Sequence, residues 1–222
     1  MTDTKRTHLS RIGLSMLRHR LFTLFTAVVA LPLLSCTDST MPDSSETRAA
    51  TDLRLLTAPY GTPSLARTSV SLYAVKGRAG TAEIWYHARP GATDSSRFML
   101  FQVGANSLAT RPDGTPIAAG DSVLITLTVT DQTHFLVDFQ PSGLKFAAAD
   151  PPTMKLSFAA CGEDLNYDGV IDSKDAAMQA SLSVWRQEAP FQEWHKVSST
   201  LLPTVKEVDA QLGGFTGYAL MF

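Results

Sequence analysis

The sequence predicts an all-β fold, an antiparallel β-sandwich carrying one inserted acidic loop and one short helix. Three observations predict it. Apolar residues recur with period two over short stretches, turn signals separate those stretches at close spacing, and helical periodicity is nearly absent.

The alternation begins at Val70, Leu72 and Ala74, which exchange with polar or small neighbours, and continues at Ile84 and Tyr86. Next come Phe98, Leu100 and Gln102 on one face against Met99, Phe101 and Val103 on the other. The run DSVLITLTVT, 121–130, places Val123, Ile125, Leu127 and Val129 on a single face. Phe135, Val137 and Phe139 follow a short turn at Asp131 and Gln132, and Met154, Leu156 and Phe158 make a further strand. Leu182 and Val184, then 205–212 and 215–222, complete the series. PDG at 112–114, PSG at 141–143, Pro151–Pro152 and Gly213–Gly214 supply the turns. Eight or nine short strands at this spacing suit a sandwich, with an up-and-down barrel as the alternative.

One segment departs from the alternation. Residues 164–175, DLNYDGVIDSKD, set oxygen-bearing side chains at loop positions 1, 3, 5, 9 and 12, namely Asp164, Asn166, Asp168, Asp172 and Asp175. A calcium ion takes six to eight oxygens, and this spacing folds them inward around it. Gly169 at position 6 permits the sharp turn, the Val170 carbonyl supplies position 7, and Ile171 at position 8 is expected to anchor the loop to a core. The expected metal set is therefore Asp164, Asn166, Asp168, Val170, Asp172 and Asp175 around one Ca2+. The residues before Asp164 read as a strand, and only 175–180 beyond the loop reads as helix. The loop resembles those of EF-hands and dockerin modules, with aspartate in place of the usual final glutamate. Dockerins carry two such repeats and this chain has one, so the resemblance implies metal ligands and not cohesin binding. Asp175, shorter than glutamate, would bind through one oxygen.

The front of the chain is of another kind. Lys5, Arg6, Arg11, Arg18 and Arg20 precede an apolar run from Leu21 to Leu34, too short to span a bilayer but suited to a signal segment. It ends Leu33, Leu34, Ser35, Cys36, which resembles the lipobox of bacterial lipoproteins. That resemblance implies a signal peptide over 1–35, diacylation of Cys36, and a cell-envelope protein held to the membrane by its lipid. Thr37 stands where aspartate would favour inner-membrane retention, so the outer membrane is favoured, facing the periplasm or the surface. Residues 36–51, rich in Ser, Thr, Asp and Pro, read as a flexible tether, and 52–222 as one domain with its own core.

Cleavage before Cys36 leaves 14 Lys and Arg against 20 Asp and Glu, a net charge of −6 where the full chain has −2. An acidic exported domain without a basic patch is no nucleic-acid binder. Of the two cysteines only Cys161 stays free; it has no intramolecular partner and is expected as a buried thiol.

A second resemblance covers roughly 97–222. FQPSGLKF at 139–146, the Pro-Pro step, VGANSL at 103–108 and the closing GFTGYALMF at 214–222 resemble a ZU5-type sandwich. ZU5 domains are interaction modules, which implies a binding or structural role without catalysis; the acidic insertion at 162–180 departs from that pattern. No G-x-S-x-G, H-E-x-x-H, P-loop or G-x-G-x-x-G is present. His87, His134 and His195 lack metal-ligand neighbours at short spacing. Of Trp85, Trp185 and Trp194, the last sits in a polar segment and is expected to be the most exposed. The resulting expectation is a non-enzymatic lipoprotein, a calcium-stabilised sandwich with a protein or glycan partner. The alternative is a calcium-dependent carbohydrate- or cell-wall-binding module.

Overall fold

The computed structural model describes residues 46–89, 91 and 95–222. The expected signal segment, Cys36 and the tether up to residue 45 lie outside the described residues. What is described is an all-β sandwich with antiparallel sheets and one short helix, as the alternation predicts.

The larger sheet runs β1 (Thr47–Arg48), β11 (Trp194–Lys196), β10 (Ser183–Gln187), β14 (Gly217–Met221), β7 (Leu136–Gln140), β6 (Ser122–Asp131) and β2 (Ser69–Val75). The smaller one runs β12 (Ser199–Leu202), β13 (Glu207–Gln211), β9 (Thr153–Ser157), β4 (Arg97–Val103) and β3 (Gly80–Trp85). A two-stranded ribbon, β5 (Leu108–Thr110) with β8 (Lys145–Phe146), closes one flank. The helix α1 is Ser173–Ser181.

Strand β6 shows how the pattern is used. Val123, Ile125, Leu127 and Val129 are buried, while Thr126 and Thr128 face outward and meet Ser71 and Ser69 of β2 hydroxyl to hydroxyl at 2.8 and 3.2 Å. The two sheets are joined by aromatic contacts. Phe139 of β7 lies 5.2 Å from Phe101 of β4, 4.9 Å from Phe215 and 5.5 Å from Tyr218, ring centre to ring centre. Rings at these separations add edge-to-face attraction to their buried area.

A second, smaller apolar cluster sits on the other side of the seven-stranded sheet. Trp185, Trp194, Ala219 and Met221 form it, with Leu53, Leu55 and Leu136 packed against it. Arg48 lays its guanidinium over the Trp185 ring at 4.6 Å and donates to the Phe222 carbonyl at 2.7 Å.

Two expectations differ from what is found. The tether was expected to run to residue 51, yet Thr47 and Arg48 already pair with His195 and Trp194, so strand structure starts upstream of the expected boundary at 52. Among the described residues fourteen strands are found where eight or nine were expected, because β1, β5, β8 and β11 are only two or three residues long and β12 only four, too few to show a period.

Candidate metal centre

The acidic segment occupies a crossover. β9 belongs to the five-stranded sheet and β10 to the seven-stranded one, so residues 158–182 carry the chain from one sheet to the other. A 3-10 turn at Ala159–Cys161 opens the passage and α1 closes it. The helix starts where it does because Asp172 is its N-cap. The Asp172 carboxylate accepts the Lys174 N–H at 2.7 Å, and Asp175, three residues on, reaches back to the Asp172 N–H at 2.9 Å. This reciprocal capping box satisfies two of the free amides of the first turn.

Between turn and helix the loop winds on its own side chains. Asp164 Oδ2 accepts the Gly169 N–H at 2.9 Å, which ties position 6 to position 1. Asn166 Oδ1 accepts the Asp168 N–H at 2.8 Å, and Asp168 Oδ1 the Val170 N–H at 2.9 Å. These are Asx-type turns, the bond short polar side chains make with backbone two residues ahead. Gly169 has φ +86°, where a side chain would be strained.

Asp175 holds a different place from its four partners. It is 3% exposed, and its Oδ1 accepts the N–H groups of Leu165 and Asn166 at 2.8 and 3.2 Å while Oδ2 accepts that of Asp172. The Asp172 amide is the main reason its carboxyl lies below the usual carboxylate range; the Leu165 and Asn166 amides add to this, against a smaller opposing effect of burial. The remaining carboxylates gather charge at the surface. Lys174 Nζ approaches Asp168 Oδ2 at 3.5 Å and Asp172 Oδ2 at 3.7 Å. Asp164 Oδ1 is shielded from water and has no hydrogen-bond partner.

Ile171 was expected to anchor the loop and does not: it is 69% exposed. Leu165 is the buried apolar residue of the loop instead, and Tyr167 supplies a second fastening by donating its hydroxyl to the Thr57 carbonyl. Cys161 Sγ lies 3.8 Å from that same carbonyl. Its thiol is free and buried, and burial pushes it up to about 11. Lys206 reaches the Gly162 carbonyl and pairs with Glu163 at 2.6 Å. Thr57, Lys174 and Lys206 were not found by sequence reasoning. Only Lys174, placed inside the acidic run, left a signal there.

The loop thus carries Asp164, Asn166, Asp168, Val170, Asp172 and Asp175 joined by separate short-range bonds: Asp164 to Gly169, Asn166 to Asp168, Asp168 to Val170, and Asp175 to Asp172. Among the described residues no three His, Cys, Asp or Glu side chains stand together as a metal cluster. Two features bear on a cation here: an orphaned buried carboxylate oxygen at Asp164, and outer oxygens of Asp168 and Asp172 that draw the Lys174 ammonium toward them. Both suit a hard cation. Asp175, with both oxygens committed to backbone amides, suits it least.

Other candidates separate. His134 Nδ1 pairs with Asp131 Oδ2 at 2.7 Å. The tryptophan expectation is corrected: Trp194 is only 6% exposed because residues 46–56 and β10 cover it, whereas Trp85 is 36% exposed, its Nε1 donating to Glu83 at 3.1 Å. Neither a family model, nor a curated protein, nor a solved structure matches the chain.

Proposed function

We propose that this chain is a lipid-anchored protein of the bacterial cell envelope, tethered through Cys36, with a non-enzymatic binding or structural role. One calcium ion on the 164–175 loop stabilises its sandwich. The observation that carries the metal reading is Asp164 Oδ1. A buried carboxylate oxygen without a partner costs on the order of 1–3 kcal/mol or more, and here it stands in a loop that also carries Asp168, Asp172 and Asp175. Asp164, Asn166, Asp168, Asp172 and the Val170 carbonyl would hold the ion, with Asp175 bracing the loop from below. When bound, the ion neutralises the acidic cluster and fastens the crossover between the sheets. The ZU5-type likeness of 97–222 favours an interaction module over an enzyme, and the cysteine closing the apolar leader favours acylation.

Two measurements test this reading on the full-length chain in detergent. Titration calorimetry with calcium should give one site, and melting in calcium should exceed melting in EDTA. Radiolabelled palmitate should enter the wild type and not Cys36→Ala. No heat and no melting shift at millimolar calcium would remove the metal; label retained in Cys36→Ala would remove the anchor.

A further inference from the structure

The register of the seven-stranded sheet places a glycine in the middle of a polar row. Gly217 of β14 lies opposite Asp138 of β7 on one side and Gln187 of β10 on the other. Gln187 in turn faces Trp194 of β11. Residues directly opposite in an antiparallel ladder share a face, so Asp138, Gly217, Gln187 and Trp194 stand in line on the side away from the main core. Three strands therefore present carboxylate, bare backbone and amide in sequence, with the covered Trp194 closing the row.

The glycine leaves a notch. A cleft of about 500 Å3 opens there, walled also by Leu136, Gln140 and the 188–190 loop, a volume within the range of small-molecule sites. The backbone does not require glycine at this position: φ is not positive, and an added Cβ would come no nearer than 3.9 Å to the closest atom, the Gln187 carbonyl. Two residues of the wall, Trp194 and Thr216, each carry a shielded polar atom without a protein partner, Nε1 and Oγ1. Buried polar atoms left unpaired are costly, and these two lie behind the wall with almost no surface open to solvent. Next to the lining residue Pro190, Phe191 is 94% exposed and held at φ +70°, a conformation rare for an aromatic residue.

The chemistry of the wall selects the occupant. No Lys or Arg lines the cleft, so an anion would meet no counter-charge. The carboxylates are not bare either: Asp138 accepts the Gln140 amide at 2.9 Å, and Glu188 pairs with Arg186 at 2.6 Å. Gln187 Nε2 already donates to the Gln192 carbonyl at 2.7 Å and Gln140 Oε1 accepts the Ser142 N–H at 3.0 Å, so what remains is the second hydrogen of each amide and the second oxygen of Asp138, beside apolar Leu136 and Pro190. Such a surface matches a ring that carries neighbouring hydroxyls on its rim and C–H groups on its face. We propose that this cleft binds a short neutral saccharide, one or two rings long, at a site separate from the acidic loop and independent of its metal.

The test uses the full-length chain in detergent and neutral di- and trisaccharides of glucose, mannose, xylose and N-acetylglucosamine, followed by tryptophan fluorescence. At least one probe should bind with Kd near or below about 1 mM. Gly217→Val, which fills the notch, should weaken it at least about tenfold with melting temperature kept within a few degrees. Asp138→Ala, which leaves the notch open, should weaken it likewise. Absence of binding by every probe at about 10 mM overturns the proposal, as does binding that survives both substitutions. Spermidine bound in place of any saccharide, and lost in Asp138→Asn, overturns it in favour of a cation site. Binding abolished by EDTA while the protein stays folded would place the ligand on the loop and overturn it too. Loss of the calcium effect alone, with saccharide binding intact, would sink only the metal reading.

Discussion

The carboxylate of Asp175 accepts the backbone N–H of Leu165 at 2.8 Å, fastening the twelfth position of the acidic loop to its second. With Asn166 and Asp172 also donating to it, this side chain closes the turn before any ion arrives. Calcium and protein would thus divide the work: Asp175 shapes the loop, and the outer oxygens receive the charge.

Asp175→Ala should consequently lower the melting temperature by several degrees to a similar extent in calcium and in EDTA. Three amides lose their acceptor under both conditions. Differential scanning calorimetry with and without chelator checks it. A loss seen only in calcium would make Asp175 a ligand first and a brace second.

Asp164→Ala and Asp168→Ala should behave in the opposite way. Each should cost stability in calcium, about 1.4–2.7 kcal/mol at free ion roughly 10–100 times Kd, and little in EDTA. Urea melts at two calcium concentrations separate the cases. Equal losses with and without the ion would reduce both aspartates to turn residues.

Phe139 touches Phe101, Phe215 and Tyr218 across the sandwich. Phe139→Ala should cost about 3–5 kcal/mol, since lost transfer energy adds to the cavity left behind. A stability loss from urea melts of less than half of that would mean the sheets close over the gap.

Asp131 gives a pH signature. Burial pushes its carboxyl up, but the His134 side chain and the His134 and Thr133 amides outweigh this and hold it below the usual range. A depressed carboxyl contributes stability above its unfolded value, near about 4, and that contribution disappears as pH falls through the folded value. Wild type should therefore lose more stability than Asp131→Asn between neutral and strongly acid pH. Parallel curves for the two proteins over that window would contradict the assignment.

The Cys161 thiol, pushed to about 11 by burial, should resist dithionitrobenzoate at pH 8 in the folded protein and react at once in guanidinium, because the thiolate is the reactive form. Fast modification of the native chain would show that the 158–182 crossover opens readily.

Much of this fold was legible because period two survives in the long strands with one face outward, such as β2, β6, β7 and β13, while β4, β10 and β14 are apolar on both faces. β6 is the clearest case, with all four expected apolar positions inside. Strands of two or three residues, such as β1 and β11, have no period to read; they exist because Arg48 and Trp194 find partners far away in sequence. The loop's side-chain spacing was legible for the same local reason, and so was its helix. The exposure of Ile171 and the burial of Trp194 were not, since both are decided by what the rest of the chain lays over them. The Asp138–Gly217–Gln187 row was invisible too: three strands distant in sequence must register before the notch exists.

The segment at 46–56 covers Trp185 with Arg48 and adds Leu53 and Leu55 to the small cluster around it. A protease that nicked the turn at 49–52 would leave the main sandwich intact while loosening this cover. The newly bared indoles and Met221 would then make the clipped product prone to self-association.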